Sequence, residues 1–248
     1  MKKYFISVIV PAYNEEKKIG DVLQFLTQSN LIDEIIVIND GSTDKTLNII
    51  KAFKKIKLIN FINNHGKSYA IVKGIEKSQG YIILFIDADL TGLNDSHLEK
   101  LIKPLISGKK DVVIGYPNEK KDKIFYPISG ERAYFKKDLM PYLKKMLKKG
   151  YGLELYLNYI FRNKKIKLFP LDGVKSPPKY EKQTYDTYAK LFLIECFDIL
   201  YEVLRQQNPL SYLMKSYLYS FYIKKPKRNS NQINKLIKYI KNNVIEKI

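Results

Sequence analysis

Tyr81-Ile82-Ile83-Leu84-Phe85-Ile86-Asp87-Ala88-Asp89 is the stretch on which the reading of this chain turns. Its apolar run, Y-I-I-L-F-I, predicts a buried strand of a parallel sheet. Two carboxylates then emerge at the C-terminal end, where open α/β sheets bind their ligands. In an extended segment the side chains at i and i+2 point the same way, so Asp87 and Asp89 are expected to face one small site. Two adjacent carboxylates repel unless a cation holds them. A hard-oxygen pair of this kind suits Mg²⁺ or Mn²⁺, bound jointly with a phosphate-bearing substrate. An isolated Asp-x-Asp is as often a solvated acidic turn, so the surroundings have to decide.

Working outward, apolar runs alternate with amphipathic ones. Residues 6–10 (I-S-V-I-V), 34–38, 57–62, 81–86 and 111–115 predict strands. Between them, Ile19, Val22, Leu23 and Leu26 mark one helix, for which Asn14 is the expected cap with Glu15 and Glu16 in the first turn. A second helix follows the turn cluster Asn39-Asp40-Gly41-Ser42-Thr43-Asp44. A third spans about 67–78, and a fourth is capped by Asp95 or Ser96 with Leu98, Leu101, Ile102, Leu105 and Ile106 on one face. Strands joined by helical crossovers predict an α/β fold with a mostly parallel sheet flanked by helices. After residue 116 the pattern loosens. Residues 116–130 predict a loop, 138–149 and 152–161 helices, 165–169 a strand, and 170–179 a Pro-rich linker. Tyr-rich helices are expected near 184–206 and 209–222, broken at Asn208-Pro209.

Composition narrows the function classes. The chain has 248 residues and a net charge of +19, which invites polyanionic or phosphorylated partners. Only four of its 44 basic residues are Arg, so the total reflects a general drift toward Lys, and local clustering is the better guide. The segment 223–248 holds eight basic residues against one acidic residue. There Ile233, Leu236, Ile237, Ile240 and Val244 form a helical stripe, a basic amphipathic helix suited either to an anionic membrane surface or to packing on protein, including a second copy in a homo-oligomer. No apolar stretch is long enough to span a bilayer, and Met1-Lys2-Lys3 leads straight into a strand. The single cysteine, Cys196, cannot form an intrachain disulfide. These features predict a cytoplasmic protein, peripheral at the inner membrane face if the tail binds lipid. His65 and His97 show no metal-ligand spacing.

Four successive strand ends carry ligand-type residues: Pro11-Ala12-Tyr13-Asn14-Glu15, Asp40, Asn64-His65-Gly66-Lys67, and Asp87-Ala88-Asp89. A proline fixes the first loop, an aromatic ring can lie against a base, and Asp40 can accept from a base N–H. Neither G-x-G-x-x-G nor G-x-x-x-x-G-K-[ST] is present, so a dinucleotide fold and a P-loop are both disfavoured. The segments V-I-V-P-A-Y-N-E-E, I-N-D-G-S-T-D-K-T, G-K-S-Y-A-I-V-K-G-I and I-L-F-I-D-A-D-L, over residues 5–115, resemble family 2 glycosyltransferases of the GT-A (Rossmann-like) fold. The resemblance implies that Pro11, Ala12, Tyr13, Glu15 and Asp40 line the nucleoside pocket. It implies that Gly66 and Lys67 lie near the donor, and that Asp87, Ala88 and Asp89 meet the diphosphate, with Asp87 and Asp89 on Mg²⁺ or Mn²⁺.

A second resemblance covers S-G-E-R-A (129–133), G-Y-G-L-E (150–154) and P-L-D-G-V (170–174). It is similar to polyprenyl-phosphate glycosyltransferases and glucosyl-3-phosphoglycerate synthases, which transfer sugar to phosphate-bearing acceptors. In the synthase-like pattern a histidine follows D-G-V as a further metal ligand. Here Lys175-Ser176 follows, which ranks a lipid phosphate ahead of phosphoglycerate as acceptor. The expected catalytic set is Asp89 with the metal, Arg132 gripping an acceptor phosphate from a Gly-containing turn, and Glu154 as general base or acceptor-orienting group. The resulting layout is a GT-A domain at 1–178, with a nucleotide-sugar half at 1–115 and an acceptor half at 116–178, followed by a helical C-terminal extension at 179–248. The expected function is metal-dependent transfer from a UDP- or GDP-sugar to a polyprenyl or other lipid phosphate. The alternatives are synthase-like transfer to a small phosphorylated acid, a sugar-nucleotide nucleotidyltransferase, which would need a Gly- and Arg-rich N-terminal loop, and a basic nucleic-acid-binding protein. The last lacks zinc spacing, an RNA-binding signature or an Arg-rich stripe, so nucleic acid ranks low as a partner.

Overall fold

The computed structural model describes residues 4–117 and 129–176. Its first half follows the alternation of the sequence: β1 (Ile6–Ala12), α1 (Ile19–Gln28), β2 (Glu34–Asp40), α2 (Thr46–Lys51), β3 (Lys57–Phe61), α3 (Lys67–Lys77), β4 (Ile82–Phe85), α4 (Asp95–Ile106) and β5 (Val112–Pro117). The second half adds β6 (Arg132–Phe135), short helices α5 (Lys136–Leu139) and α6 (Leu143–Met146), then α7 (Leu153–Ile160) and β7 (Ile166–Leu171). The described strands form one sheet in the order β3-β2-β1-β4-β6-β5-β7. β6 alone runs antiparallel, wedged between β4 and β5 with Phe85 opposite Arg132 on one side and Ile114 opposite Arg132 on the other. The mostly parallel α/β sheet expected from the sequence is therefore present, and both halves of the chain contribute to it.

Because side chains alternate across a strand, the sheet has two cores. Val8, Val10, Ile35, Val37, Ile82 and Leu84 pack with Val22, Leu23 and Leu26 of α1 and with Leu98 and Leu101 of α4. Ile9, Ile36, Ile38, Ile83 and Phe85 pack on the other face with Ala70, Ile71 and Ile75 of α3 and with Tyr156 and Leu157 of α7. Full burial of each such aliphatic side chain contributes about 1.5–3 kcal/mol. Every residue of β2 is buried, which is why its sequence reads as one apolar run without alternation.

Local details depart from the sequence reading in four places. Asn14 does not cap α1. It sits at φ 54° in a left-handed loop, and α1 begins at Ile19. Its side-chain oxygen instead accepts from the Thr43 N–H at 2.8 Å. Asn94, not Asp95 or Ser96, caps α4, in a capping box whose return partner is His97. The expected helix at 138–149 breaks into α5, a 3₁₀ turn at Met140–Tyr142 and α6. Arg132 and Ala133, read as part of a turn, open the strand β6. Residues 118–128 of the expected loop, residues 177–179 of the expected linker, Cys196 and the expected helices at 184–206, 209–222 and 231–248 lie outside the described residues. No helix among the described residues is long and apolar enough to cross a membrane.

Candidate active site

The parallel order β3-β2-β1-β4 places the four ligand-type strand ends side by side on one edge of the sheet. Their loops are laced together. The Asn14 N–H donates to Ser42 Oγ at 3.0 Å, Glu15 N–H to Thr46 Oγ1 at 2.8 Å, and Glu16 N–H to Asp44 Oδ2 at 3.2 Å. The polar residues of N-D-G-S-T-D-K-T thus hold the first βα loop in shape. Ala12 is buried at its base, while the Tyr13 ring is 39% exposed and open to a flat ligand.

Asp40 has a different immediate task from the one expected of it. The carboxylate is buried at the end of β2, and its two oxygens accept from the His65 N–H at 2.9 Å and the Gly66 N–H at 2.8 Å. These bonds fix the loop that enters α3. Gly66 takes φ 92° there, a conformation that favours glycine, and Lys67 follows as the first helical residue. One residue further, Ser68 Oγ accepts from the Gly150 N–H at 2.9 Å, which anchors the turn preceding α7. Glu154 sits in the first turn of α7, so this anchor brings it to Lys67.

The result is a three-residue constellation. Lys67 Nζ lies 2.9 Å from Asp87 Oδ1 and 3.0 Å from Glu154 Oε1. Burial alone would lower the pKa of the Lys67 ammonium, but the charges of Asp87 and Glu154 outweigh it and hold that pKa well above the usual lysine value. On its other side Asp87 abuts Gly130, where an added Cβ would stand 2.4 Å from Asp87 Oδ2. Beside it Glu131 is buried. Burial first, and then the negative charge of Asp87, push its carboxyl up to about 8, so it is mostly protonated at neutral pH, with the Ser129 hydroxyl as hydrogen-bond partner. Glu131 carried no role in the sequence reading. The visible signal was a carboxylate preceded by the small residues Ser129 and Gly130, just before the short segment R-A-Y-F.

Asp87 and Asp89 do not continue β4 as an extended pair, because the chain turns at Ala88 and Asp89. Asp87 meets Lys67, whereas Asp89 Oδ2 lies 3.4 Å from the Ser176 hydroxyl on the loop after β7. That loop is strapped to the segment following Asp89. Thr91 N–H donates to the Lys175 carbonyl at 2.9 Å, and the Lys175 N–H donates to the Thr91 carbonyl at 3.0 Å. His97 makes a further tie. Its Nδ1 accepts from the Asn94 N–H at 3.2 Å, which leaves the proton on Nε2 to bond the Asp172 carbonyl at 3.1 Å. Burial holds its imidazole below the ordinary value, consistent with a neutral ring.

Arg132 requires a correction. It lies on β6 and is 1% exposed. Nε donates to the Ser129 carbonyl at 2.6 Å, and Nη1 to Asn158 Oδ1 at 2.8 Å and Tyr134 Oη at 3.1 Å. A guanidinium committed to the interior between the sheet and α7 cannot grip an acceptor at the sheet edge. The turn reading failed because one antiparallel strand, too short to show a clear period, begins two residues after Gly130.

The donor chemistry fits a hard cation. Asp87 and Asp89 offer carboxylate oxygens at the ligand edge, and the Lys67 ammonium already stands against Asp87 as a positive charge. Among the described residues, no three His, Cys, Asp or Glu side chains gather into a complete metal shell, so substrate oxygens or water would have to supply part of it.

The C-terminal edge of an open α/β sheet thus carries a buried Lys–carboxylate cluster and an Asp-x-Asp turn. The chain belongs to glycosyl transferase family 2, which it matches over residues 7–168. Among curated proteins it is similar to a dolichyl-phosphate beta-glucosyltransferase of Trichomonas vaginalis, at 37% identity over 48% of this chain and 42% of the relative. It is also similar to 4,4'-diaponeurosporenoate glycosyltransferase of Staphylococcus aureus, at 32% identity over 45% of this chain and 31% of the relative. The chain thus spans less than half the length of these relatives. Its fold is similar to that of glucosyl-3-phosphoglycerate synthase from Mycobacterium tuberculosis, solved with Mn²⁺, UDP-glucose and phosphoglyceric acid. The TM-score is 0.63 at 22% identity, over 80% of this chain and 79% of that one. The GT-A architecture expected from the motifs is therefore the one present.

Proposed function

We propose that this protein transfers a sugar from a nucleoside-diphosphate sugar to an acceptor bearing a phosphate, with a lipid phosphate as the preferred class. The observation that carries the reading is the Lys67–Asp87–Glu154 constellation beside Asp89, at the C-terminal edge of the sheet in a chain of glycosyl transferase family 2. Asp87 and Asp89 would hold Mg²⁺ or Mn²⁺, which when bound neutralises the charge building on the departing diphosphate. The Lys67 ammonium adds a preorganised positive charge beside that diphosphate. Tyr13 offers its exposed face to the base, Pro11, Ala12 and Glu15 shape the surrounding loop, and Asp40 holds Gly66 and Lys67 in register.

Glu154 is best placed as a positioning residue. Its buried carboxylate is engaged by Lys67, which supports an orienting role over proton abstraction. A phosphate acceptor is ionised near neutral pH, so transfer to it needs no strong base. The lipid-phosphate class is supported by the similarity to a dolichyl-phosphate enzyme and by the basic excess of residues 109–149, twelve basic against five acidic. The basic segment 223–248 would bring the enzyme to an anionic membrane surface, at the cytoplasmic face. Transfer to phosphoglycerate is the second reading, supported by the fold of the synthase.

The test is a panel of UDP-, GDP- and dTDP-sugars scored for thermal stabilisation with and without Mn²⁺, followed by product analysis with polyprenyl phosphate and with phosphoglycerate. One sugar nucleotide should stabilise the protein only with metal, and Asp89→Asn should abolish the metal-dependent part while the fold is kept. Stabilisation that ignores metal in both proteins would remove the donor assignment. Product from neither acceptor would remove the acceptor assignment.

A further inference from the structure

Residues 136–149, K-K-D-L-M-P-Y-L-K-K-M-L-K-K, hold six lysines against one acidic residue. They form α5, the 3₁₀ turn and α6, a nearly continuous helical stretch between β6 and α7. Its exposed residues are Lys137, Met140, Pro141, Lys144, Lys145 and Lys148. That spacing (i, i+3, i+4, i+7, i+8, i+11) aligns them along one side of a helix. Leu139, Leu143 and Met146, on the other side, are buried in the core shared with α3 and α7, so the exposed side is held rigidly outward. It carries four lysines and no acid, since Asp138 lies off it and is half-buried. Both ends of the segment are fixed. The Lys136 N–H donates to the Tyr81 carbonyl at 2.8 Å, at the edge of the sheet opposite the ligands. The far end runs into Gly150, whose N–H bonds Ser68 Oγ at the ligand edge.

A run of lysines is ordinarily just a solvated surface, but a solvated surface has no use for the methionine set among these. Four large apolar side chains are exposed among the described residues, and Met140 is one of them, at 47%. Acidic protein or free phosphate would match the lysines and leave that thioether in water. A phospholipid surface takes both: the ammonium groups meet the headgroup phosphates while the apolar side chain enters the acyl boundary. Nucleic acid fits less well, because the side offers no Arg, whose planar fork grips a phosphate in two places. We infer that the side formed by Lys137, Met140, Lys144, Lys145 and Lys148 is a docking surface for an anionic phospholipid membrane. The contact is separate from the one proposed for residues 223–248, and it stands whether or not a lipid phosphate is the acceptor. Because the segment ends at Gly150, docking through it brings the ligand edge next to the bilayer.

The experiment measures co-sedimentation of the full chain with vesicles of phosphatidylcholine and phosphatidylglycerol in equal parts. The tail is kept in every variant, so that a loss reports this face alone. A lysine near an anionic surface contributes about fivefold in affinity. The triple variant Lys144→Gln, Lys145→Gln, Lys148→Gln should therefore bind at least about tenfold more weakly than wild type. The control is Lys51→Gln, Lys54→Gln, Lys100→Gln, three exposed lysines on the side of the sheet where α2 and α4 pack. It removes the same net charge and should stay within about threefold of wild type, as expected for charges held away from the bilayer. The chain contains no tryptophan, so Met140→Trp supplies a single fluorophore at the exposed position. Its emission should shift to the blue on the mixed vesicles and be quenched by brominated lipid. An equal loss in the two triple variants, which net charge alone would produce, overturns the assignment. So does an emission that the mixed vesicles leave unmoved. Loss of binding to a DNA duplex with vesicle binding intact would give the face to nucleic acid instead. Metal-dependent donor binding is read separately, and its failure leaves this docking surface untouched.

Discussion

Gly130→Ala adds one methyl group where the candidate site is tightly packed against Asp87. The new Cβ would stand 2.4 Å from Oδ2, 2.7 Å from Oδ1 and 2.8 Å from Cγ of Asp87, whereas ordinary contact begins at 3.4 Å. Something must therefore move by about 1 Å. The backbone around Gly130 is poorly placed to yield, because the Ser129 carbonyl accepts from Arg132 Nε at 2.6 Å and the Glu131 carbonyl accepts from the Gly115 N–H at 2.9 Å. The Asp87 carboxylate is the freer partner, and its displacement breaks the 2.9 Å contact with Lys67. Overpacking of this kind costs about 1–3 kcal/mol, which for a chain of this size lowers the melting temperature by several degrees. A misplacement of about 1 Å at a reacting centre costs on the order of 100-fold in rate. Sugar transfer per folded molecule should fall by about that factor, and Mn²⁺-dependent UDP affinity should fall with it. The assays are thermal melting, calorimetric titration of UDP with Mn²⁺, and product formation. Wild-type affinity and turnover within threefold would refute the packing of Asp87 against Gly130 and its place in the site.

Two further outcomes test the electrostatics. Glu131 has a folded pKa of about 8 against an ordinary 4.5, so the protonated form is favoured in the fold. Its stabilising contribution is complete below about pH 4.5 and is lost as pH rises toward 8. Relative to wild type, Glu131→Gln should gain melting temperature steadily between pH 5 and pH 8.5, and parallel curves would contradict the buried position beside Asp87. At the opposite edge of the sheet, the Glu34 carboxylate accepts from the Ser7 hydroxyl, from Lys57 Nζ at 2.5 Å and from the Gln79 N–H at 2.9 Å. Burial would raise its pKa, but these hydrogen bonds hold it below the ordinary value. Glu34→Ala leaves the Ser7 and Gln79 donors unpaired at roughly 1–3 kcal/mol each, with the exposed Lys57 returning to water. Urea unfolding should show that loss while UDP affinity per folded molecule stays as in wild type.

The parallel half of the fold was legible because its central strands are buried on both faces, and burial on both faces leaves uninterrupted apolar runs such as E-I-I-V-I-N-D. Helix starts were less legible, since competing polar groups all lie within reach. Asn14 has the chemistry of a cap, but Thr43 claims its side chain, and the true cap of α4 was decided by the return bond from His97. At the site, Lys67, Asp87 and Glu154 were each singled out, but their meeting depends on Ser68 anchoring Gly150 across the molecule, a contact without local signature. Arg132 was misread for the same reason. Its surroundings are set by α7 and by two neighbouring strands that lie elsewhere in the sequence. His97 and Ser176 could not be placed before the loops around residues 91 and 173 were seen to touch, and Glu131 not before β6 was seen to carry it beside Asp87.

The antiparallel wedge of β6 between β4 and β5 bears on how the protein is made. A chain synthesised only through residue 117 has β1 to β5 but lacks the strand that separates β4 from β5, so both apolar strands carry open backbone edges. Filling the slot requires closing a long loop, and its entropic cost is met only when Phe85 and Ile114 both find Arg132. Asp87 follows the waiting strand directly, and Gly130 and Glu131, which frame it, arrive with the wedge. Insertion of β6 and the framing of Asp87 are thus one event, with Glu154 of α7 and the edge strand β7 still to follow in the chain.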